Sequence, residues 1–377
     1  MRPMIKILEV FGEPISHGGQ ESYVMSQLTH MSRSGFLFDF LTPYQLENKE
    51  IARTVESWGG HVFHLDLPFH PGKSREYIAE PLRAFFKANS YDVVHVHSGS
   101  TSVLAIAARE AKRCRVKSVI VHSHAARSRE GLLSAMLRAI SAIRMEKNVD
   151  IYAACSRVAA EAKYSKRHAM KALILNNGID INKFSFNCAD REAIRYSLGI
   201  RETDVLLGAV GRLSYEKNHK YLIDLLGSLG NQGELDYKLL IVGDGEKREE
   251  LIQSANKAGL SEKIYLVGMQ DKVERYLSAM DVFLMPSFRE GLPISAIEAQ
   301  ANGLPCVMST MITAEVDLLQ DRVFHLNLDD KIGWIEQIRA VTSERSKNRI
   351  VCLKKLTEFD VNHTAPELRE LYETVGA

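Results

Sequence analysis

The chain has few of the residues that staple, anchor or load a protein with a cofactor. Its five cysteines, Cys114, Cys155, Cys188, Cys306 and Cys352, are scattered through 377 residues and never fall in C-x-x-C spacing. That argues against a disulfide framework and a cysteine-held zinc, and suits a reducing cytoplasm. No apolar run approaches the roughly 18 residues of a membrane span. The start, MRPMIKILEVFG, turns polar too soon for a signal peptide. The expectation is a cytoplasmic protein that meets a membrane, if at all, at its inner surface. The dinucleotide fingerprint G-x-G-x-x-G is also missing. Its nearest relative, VGDGEKRE, carries Arg248 at the third glycine, which argues against a nicotinamide or flavin cofactor. No Asp-x-Asp occurs, so the usual carboxylate clamp for a divalent ion on a nucleotide diphosphate is lacking. No metal or cofactor is therefore expected, and nothing repeats at a short period.

What is present has the composition of an ordinary globular protein, 45% hydrophobic and 25% charged. The net charge of +1 conceals an asymmetry. Residues 1–185 carry 25 basic and 17 acidic side chains, the remainder 23 and 30. Most of the excess lies between Thr101 and Lys171, with 15 basic and 5 acidic residues. A localised basic face suits an anionic membrane or a phosphate-rich substrate, and is equally compatible with a solvated surface. Nothing in it points to nucleic acid.

Short apolar runs (IKILEV, FLFDFLT, VVHVH, SVIVHSH, LILNN, VLLGAVG, KLLIVG, IYLVG, VFLMPS, PCVMS) alternate with helical patterns such as KYLIDLLGSL and KREELIQSANKAG. Such alternation predicts parallel sheets covered on both faces. About ten strands are too many for one core of this size, so two doubly wound, Rossmann-like domains are expected, facing each other across a cleft. The irregular stretch INKFSFNCADREAI suggests a boundary near residue 183, with a second domain over 184–359. Ligands of such sheets bind beyond the carboxyl ends of the strands.

Four segments carry polar residues at those ends. Gly18 and Gly19 precede a helix whose first amides would meet an anion, although a glycine pair before a helix is more often only a turn. In GAVGRLSYEKNHKYL, Arg212 and Lys217 stand at the mouth of a helix, where cations are disfavoured unless an anion such as a diphosphate lies between them. The alternative is exposed loop charge with Glu216 as neighbour. In FREGLPISAIEAQANGLP, Pro293 opens a helix from Ile294 to Asn302 that Gly303 and Pro305 stop. Ile294, Ile297, Glu298 and Ala301 share one face of it, and a carboxylate on an apolar face needs a partner. The hydroxyls of a ribose suit Glu298; an internal ion pair is the alternative. Glu290 lies beside the amides of Gly291 and Leu292 and would meet the sugar at the other end of a nucleotide sugar. Finally, His95, His97, His122 and His124 pair up near strand ends. A zinc site needs a further ligand, and no acidic residue or cysteine stands at a supporting spacing.

Taken together, GGQESYVM, HVH, HSHA, NNGIDINKF, GRLSYEKN, LLIVGDGEKRE, SAMDVFLMPSFREGLP and IEAQANGLP resemble the retaining glycosyltransferases of family 4. The likeness is greatest to the bacterial enzymes that build exopolysaccharide and capsule. It implies the GT-B fold: an acceptor-side domain over 1–183, rejoined by a helix near 360–377, and a donor-binding domain over 184–359. It implies transfer of a hexose from a nucleotide-diphosphate sugar, UDP foremost, to a glycan acceptor carried on a polyprenyl diphosphate. Arg212 and Lys217 would hold the diphosphate, Glu298 the ribose and Glu290 the sugar, with backbone contacts from Gly291, Leu292 and Pro293. Gly19 would approach the phosphates and His124 the reacting sugar, while Met269 and Gln270 would lie near the base. Arg289 and Gln20 depart from the family pattern beside the sugar pocket, leaving the donor sugar open. Two rival readings are a nucleotide-sugar epimerase and a non-catalytic nucleotide-binding subunit of a polysaccharide assembly complex.

Overall fold

The computed structural model describes residues 4–70, 74–124, 132–230, 235–343, 349 and 356–377. It divides into two units, Met1–Gly178 with Glu358–Ala377, and Ile179–Thr357. The first division falls earlier than residue 183 because residues 179–184 build the second unit. Asp180 caps a helical turn, Ile181–Phe184, that buries Ile181 and Phe184, and Asn302 Nδ2 donates to the Phe184 carbonyl. The stretch expected to be irregular thus holds this turn and a second helix, Cys188–Ser197.

Unit 1 is a seven-stranded parallel sheet: β1 (Ile5–Phe11), β2 (Phe36–Thr42), β3 (Val62–His64), β4 (Val93–Ser98), β5 (Ser118–Ser123), β6 (Ile151–Ala154) and β7 (Leu173–Ile174). Their order is β3-β2-β1-β4-β5-β6-β7, so the winding reverses between β1 and β4. The helices Gly19–His30 and Val361–Gly376 cover one face. The second buries Val361, Thr364, Ala365, Leu368 and Tyr372, an i, i+3, i+4, i+7, i+11 stripe, against the core of β1 and β2.

Unit 2 is a six-stranded parallel sheet: β8 (Val205–Val210), β9 (Tyr237–Val242), β10 (Ile264–Leu266), β11 (Val282–Met285), β12 (Cys306–Ser309) and β13 (Val323–Leu326). The order β10-β9-β8-β11-β12-β13 places its reversal between β8 and β11. Strands β3, β6 and β13 lie outside the expected runs: histidines interrupt β3 and β13, and β6 holds only Ile151 and Tyr152 before two alanines. Among the described residues no helix is long and apolar enough to cross a membrane.

Candidate active site

In open α/β sheets a ligand sits where the winding reverses, because the two diverging helices leave a crevice beyond the strand ends. In unit 2 that point is flanked by the loops after β8 and β11, which contain Arg212, Lys217 and Glu290. Lys217 Nζ lies 2.7 Å from Glu290 Oε1, with the side chains 20% and 14% exposed. The contact is an ion pair rather than a directed hydrogen bond, since Oε1 has no hydrogen-bond partner of good geometry. The two loops are tied together. Asn218, in the left-handed region at φ 53°, donates from Nδ2 to the Pro286 carbonyl at 3.2 Å. Phe288 N–H donates to the Glu216 carbonyl, and the rings of Tyr215 and Phe288 lie 5.1 Å apart. The Lys217 stem runs against Gly211, where a Cβ would come within 3.2 Å of Cε.

Arg212 is not part of that pair. Its guanidinium is 75% exposed and meets Glu246 at 3.3 Å. An exposed pair of this kind contributes little, so the arginine is cheaply redirected to an anion.

The helix after β11 runs Ile294–Ala301, with Pro293 as N-cap and Asn302 as C-cap. Its buried residues are Ala296, Ile297, Ala299, Gln300 and Ala301, a broader face than the predicted stripe, which leaves Ile294 and Glu298 half-buried at its edge. The fully buried Gln300 side chain donates to the Ala296 and Val316 carbonyls and accepts from the amides of Leu318 and Leu319. Among the described residues the Glu298 side chain makes no hydrogen bond and no ion pair; its carbonyl accepts from Asn302 N–H within the helix. Burial pushes its carboxyl up to about 7, against a smaller opposing pull from Lys183, which itself pairs with Glu274 at 3.8 Å. A half-buried carboxyl that accepts from no side chain or amide keeps its hydrogen-bonding capacity unused. Gly291, Leu292 and Pro293 are buried between the Lys217–Glu290 pair and this helix. Met269 and Gln270 follow β10, two strands from the reversal. Met269 is half exposed, and Gln270 is held by Val267 and Tyr276.

In unit 1 Gly18 is the N-cap of the helix Gly19–His30. A carboxylate already stands there: Glu21 Oε1 accepts from Ser16 N–H at 3.1 Å, and a Cβ on Gly18 would meet Glu21 Oε2 at 2.5 Å. Burial pushes Glu21 up to about 7. Gly19 faces open space. Where this sheet reverses, Glu13 accepts from Gln20 and Ser98.

The four histidines form one cluster with a residue that spacing alone had passed over. Glu9, in the middle of β1, accepts from Tyr372 O–H at 2.6 Å through Oε1 and lies 2.7 Å from His97 Nε2 through Oε2. His95 Nδ1 lies 2.7 Å from the Tyr372 hydroxyl, and His97 Nδ1 lies 3.0 Å from His124 Nε2. Burial pushes His95 and His124 down to about 3 and Glu9 up to about 8. The expectation that no acidic residue supports the histidines is thus corrected. Glu9 is 86 positions from His95 in sequence but its register partner across β1 and β4. The signal was available in IKILEV, a carboxylate inside an apolar strand.

Comparison with known proteins places this geometry in a family. Residues 18–164 match the "Glycosyl transferase 4-like domain" and residues 190–351 the "Glycosyl transferases group 1" domain. The chain is 29% identical over 349 residues to the putative glycosyltransferase EpsF of Bacillus subtilis, spanning 89% of this chain and 88% of that protein. It is 28% identical over 305 residues to an Escherichia coli UDP-Gal:alpha-D-GlcNAc-diphosphoundecaprenol alpha-1,3-galactosyltransferase, spanning 77% of each. The fold is that of Anabaena HepE, solved in complex with UDP-glucose, at a TM-score of 0.75 and 17% identity over 98% of this chain and all of HepE. With both domain models matched along its length and its fold shared with HepE, the chain belongs to the glycosyltransferases of the GT-B fold.

Proposed function

We propose that the protein transfers a hexose from a UDP-sugar, with retention, to a lipid-diphosphate-linked glycan in exopolysaccharide or capsule synthesis. The observation that carries this reading is the Lys217–Glu290 pair at the sheet reversal, with the unpartnered Glu298 on the helix that follows. Lys217 is a cation placed where charge grows on a departing diphosphate, and Arg212 is free to swing to the same anion. Such groups stabilise the transition state more than the bound substrate. Glu298 takes the ribose hydroxyls, Glu290 a hydroxyl of the transferred sugar, and the amides of Gly291 and Leu292 border that sugar. Gly18 and Gly19 approach the phosphates, His124 the reacting sugar, and Met269 and Gln270 the base. No side chain in this set is a free nucleophile for a double displacement. Same-face attack is favoured, with the leaving phosphate taking the acceptor's proton. Arg212, Lys217 and backbone amides replace a divalent ion at the diphosphate.

Supporting the donor, HepE binds UDP-glucose and the E. coli relative is named for UDP-Gal; supporting the acceptor, that name includes a diphosphoundecaprenol. Contact with an anionic membrane fits an exposed stripe on the helix Leu132–Met145. Met136, Ile140 and Ile143 face outward there, and Arg144 and Lys147 lie beside them. Part of the rest of the 101–171 basic charge is already paired: Arg109 and Arg113 with Glu110, Lys112 with Asp150. The segment AARSRE, 125–130, lies outside the described residues.

The test is a thermal-shift panel of UDP, GDP, ADP and their sugars on chelator-treated protein, with and without Mg2+. UDP and one UDP-hexose should rank first, with no gain from Mg2+. A GDP or ADP preference overturns the donor, and a Mg2+ requirement overturns the metal-free diphosphate. Nucleotide-sugar turnover without acceptor would favour an epimerase.

A further inference from the structure

The strands of unit 1 bring together imidazoles that the donor chemistry leaves unused. His95, His97 and His122 are each completely buried, and one nitrogen from each lies within 4.8 Å of the others. His97 and His122 are direct register partners on β4 and β5, and His95 lies on the same face one pleat away. We propose that these three histidines form a transition-metal site for a single Zn2+ or similar borderline dication inside unit 1.

Hydrogen bonding argues for it first. Tyr372 donates its hydroxyl proton to Glu9, so its oxygen accepts from His95 Nδ1–H, and the lone pair of His95 is left on Nε2. That nitrogen has no hydrogen-bond partner among the described residues. Glu9 Oε2 accepts from His97 Nε2–H, so His97 Nδ1 accepts from His124 Nε2–H at 3.0 Å, a bond that a metal at Nδ1 would displace. Neither ring nitrogen of His122 has a partner among the described residues. Glu9 and Tyr372 thus fix two imidazoles in the tautomers a metal needs, as carboxylate–histidine–metal arrangements do. An orphaned buried ring nitrogen costs free energy, and two residues with such nitrogens facing one another want a common ligand.

The donor set argues the same way. Among the described residues no lysine or arginine pairs with the buried Glu9, so no fixed cation competes for the pocket. Imidazole donors with no thiolate suit Zn2+, Cu2+ or Ni2+ over Mg2+ or Ca2+. At a metal–nitrogen distance of about 2.0–2.1 Å, tetrahedral ligands stand about 3.3 Å apart. The three ring nitrogens lie within 4.8 Å of one another, and ring rotations would draw them to that spacing. The site is separate from the donor diphosphate and does not depend on the transferase reading.

The test uses the untagged full-length chain, stripped with chelator, loaded with Zn2+ and desalted. Elemental analysis should find about one zinc per chain, and His122→Gln should lose at least ten-fold. His61→Gln, on an exposed histidine, should lose none. Glu9→Gln, at a positioning residue, should weaken Zn2+ binding about 10–100-fold while leaving far-UV circular dichroism unchanged. Co2+-loaded wild type should show the intense visible absorption of a tetrahedral nitrogen site. Wild type holding no more zinc than His122→Gln, or Co2+ giving only the spectrum of the aqueous ion, overturns the proposal. Should His122→Gln fail to fold, the Co2+ spectrum of the wild type decides alone.

Discussion

Lys217 and Glu290, 73 positions apart in sequence, meet at 2.7 Å where the winding of the second sheet reverses. A lysine and a glutamate each less than a quarter exposed hold one another in place until a more highly charged anion competes for the lysine.

Lys217→Met should therefore lower kcat for UDP release from a UDP-hexose with acceptor by about 10²–10³-fold, the usual cost of one group aimed at developing charge. Arg212→Met, removing a side chain now held only by an exposed pair, should weaken UDP binding with little change in stability. Glu290→Gln should slow transfer without accumulating a glycosylated protein. A covalent adduct in its intact mass would overturn same-face attack.

Glu298 sets a pH dependence of definite sign. Its carboxyl is raised to about 7 from an ordinary value near 4.5, so the ionised form opposes folding. That penalty is absent below pH about 4.5 and complete above about 7, on the order of 1–3 kcal/mol. Glu298→Gln should raise Tm at pH 8 and leave it unchanged at pH 4.5. If the ionised carboxylate receives the ribose hydroxyls, UDP affinity of the wild type should rise through pH 7, and the variant should lose that rise. A flat wild-type titration would remove Glu298 from the nucleotide site.

Gly243, at φ 139°, packs its Cα onto the backbone that carries the lysine loop. A Cβ there would lie 2.1 Å from the Gly211 carbonyl oxygen. Gly243→Ala should cost about 1–3 kcal/mol in denaturant unfolding, and should weaken UDP binding because Gly211 supports the Lys217 stem. Unchanged UDP affinity in a destabilised variant would show that the loop is positioned independently of β9.

At a membrane, Ile140→Asp with Ile143→Asp should reduce sedimentation with anionic vesicles at low salt by several-fold. Reversing Arg113 and Arg115 should act more weakly, since Arg113 already answers Glu110 at 3.1 Å. Equal binding by all forms would dismiss a membrane role for this face.

The sequence by itself determined the elements and the kinds of chemistry. Alternating apolar runs and helical periods are local, so two wound sheets were legible, as was the helix opened by Pro293 and stopped by Gly303. Arg212, Lys217 and Glu298 stood out as candidates too, because a cation at a helix mouth or a carboxylate on an apolar helix violates a local rule, and Glu290 because it stands at the turn before that helix. Only the tertiary structure decided which of them meet. Strand order puts β8 beside β11 and so Lys217 against Glu290, while Arg212 turns to Glu246. It puts β1 beside β4 and so Glu9 among four histidines, and it brings Tyr372 to Glu9 across 363 positions. Such contacts follow from which arrangement buries both sheet faces at once, a property of the whole unit that no window of sequence contains.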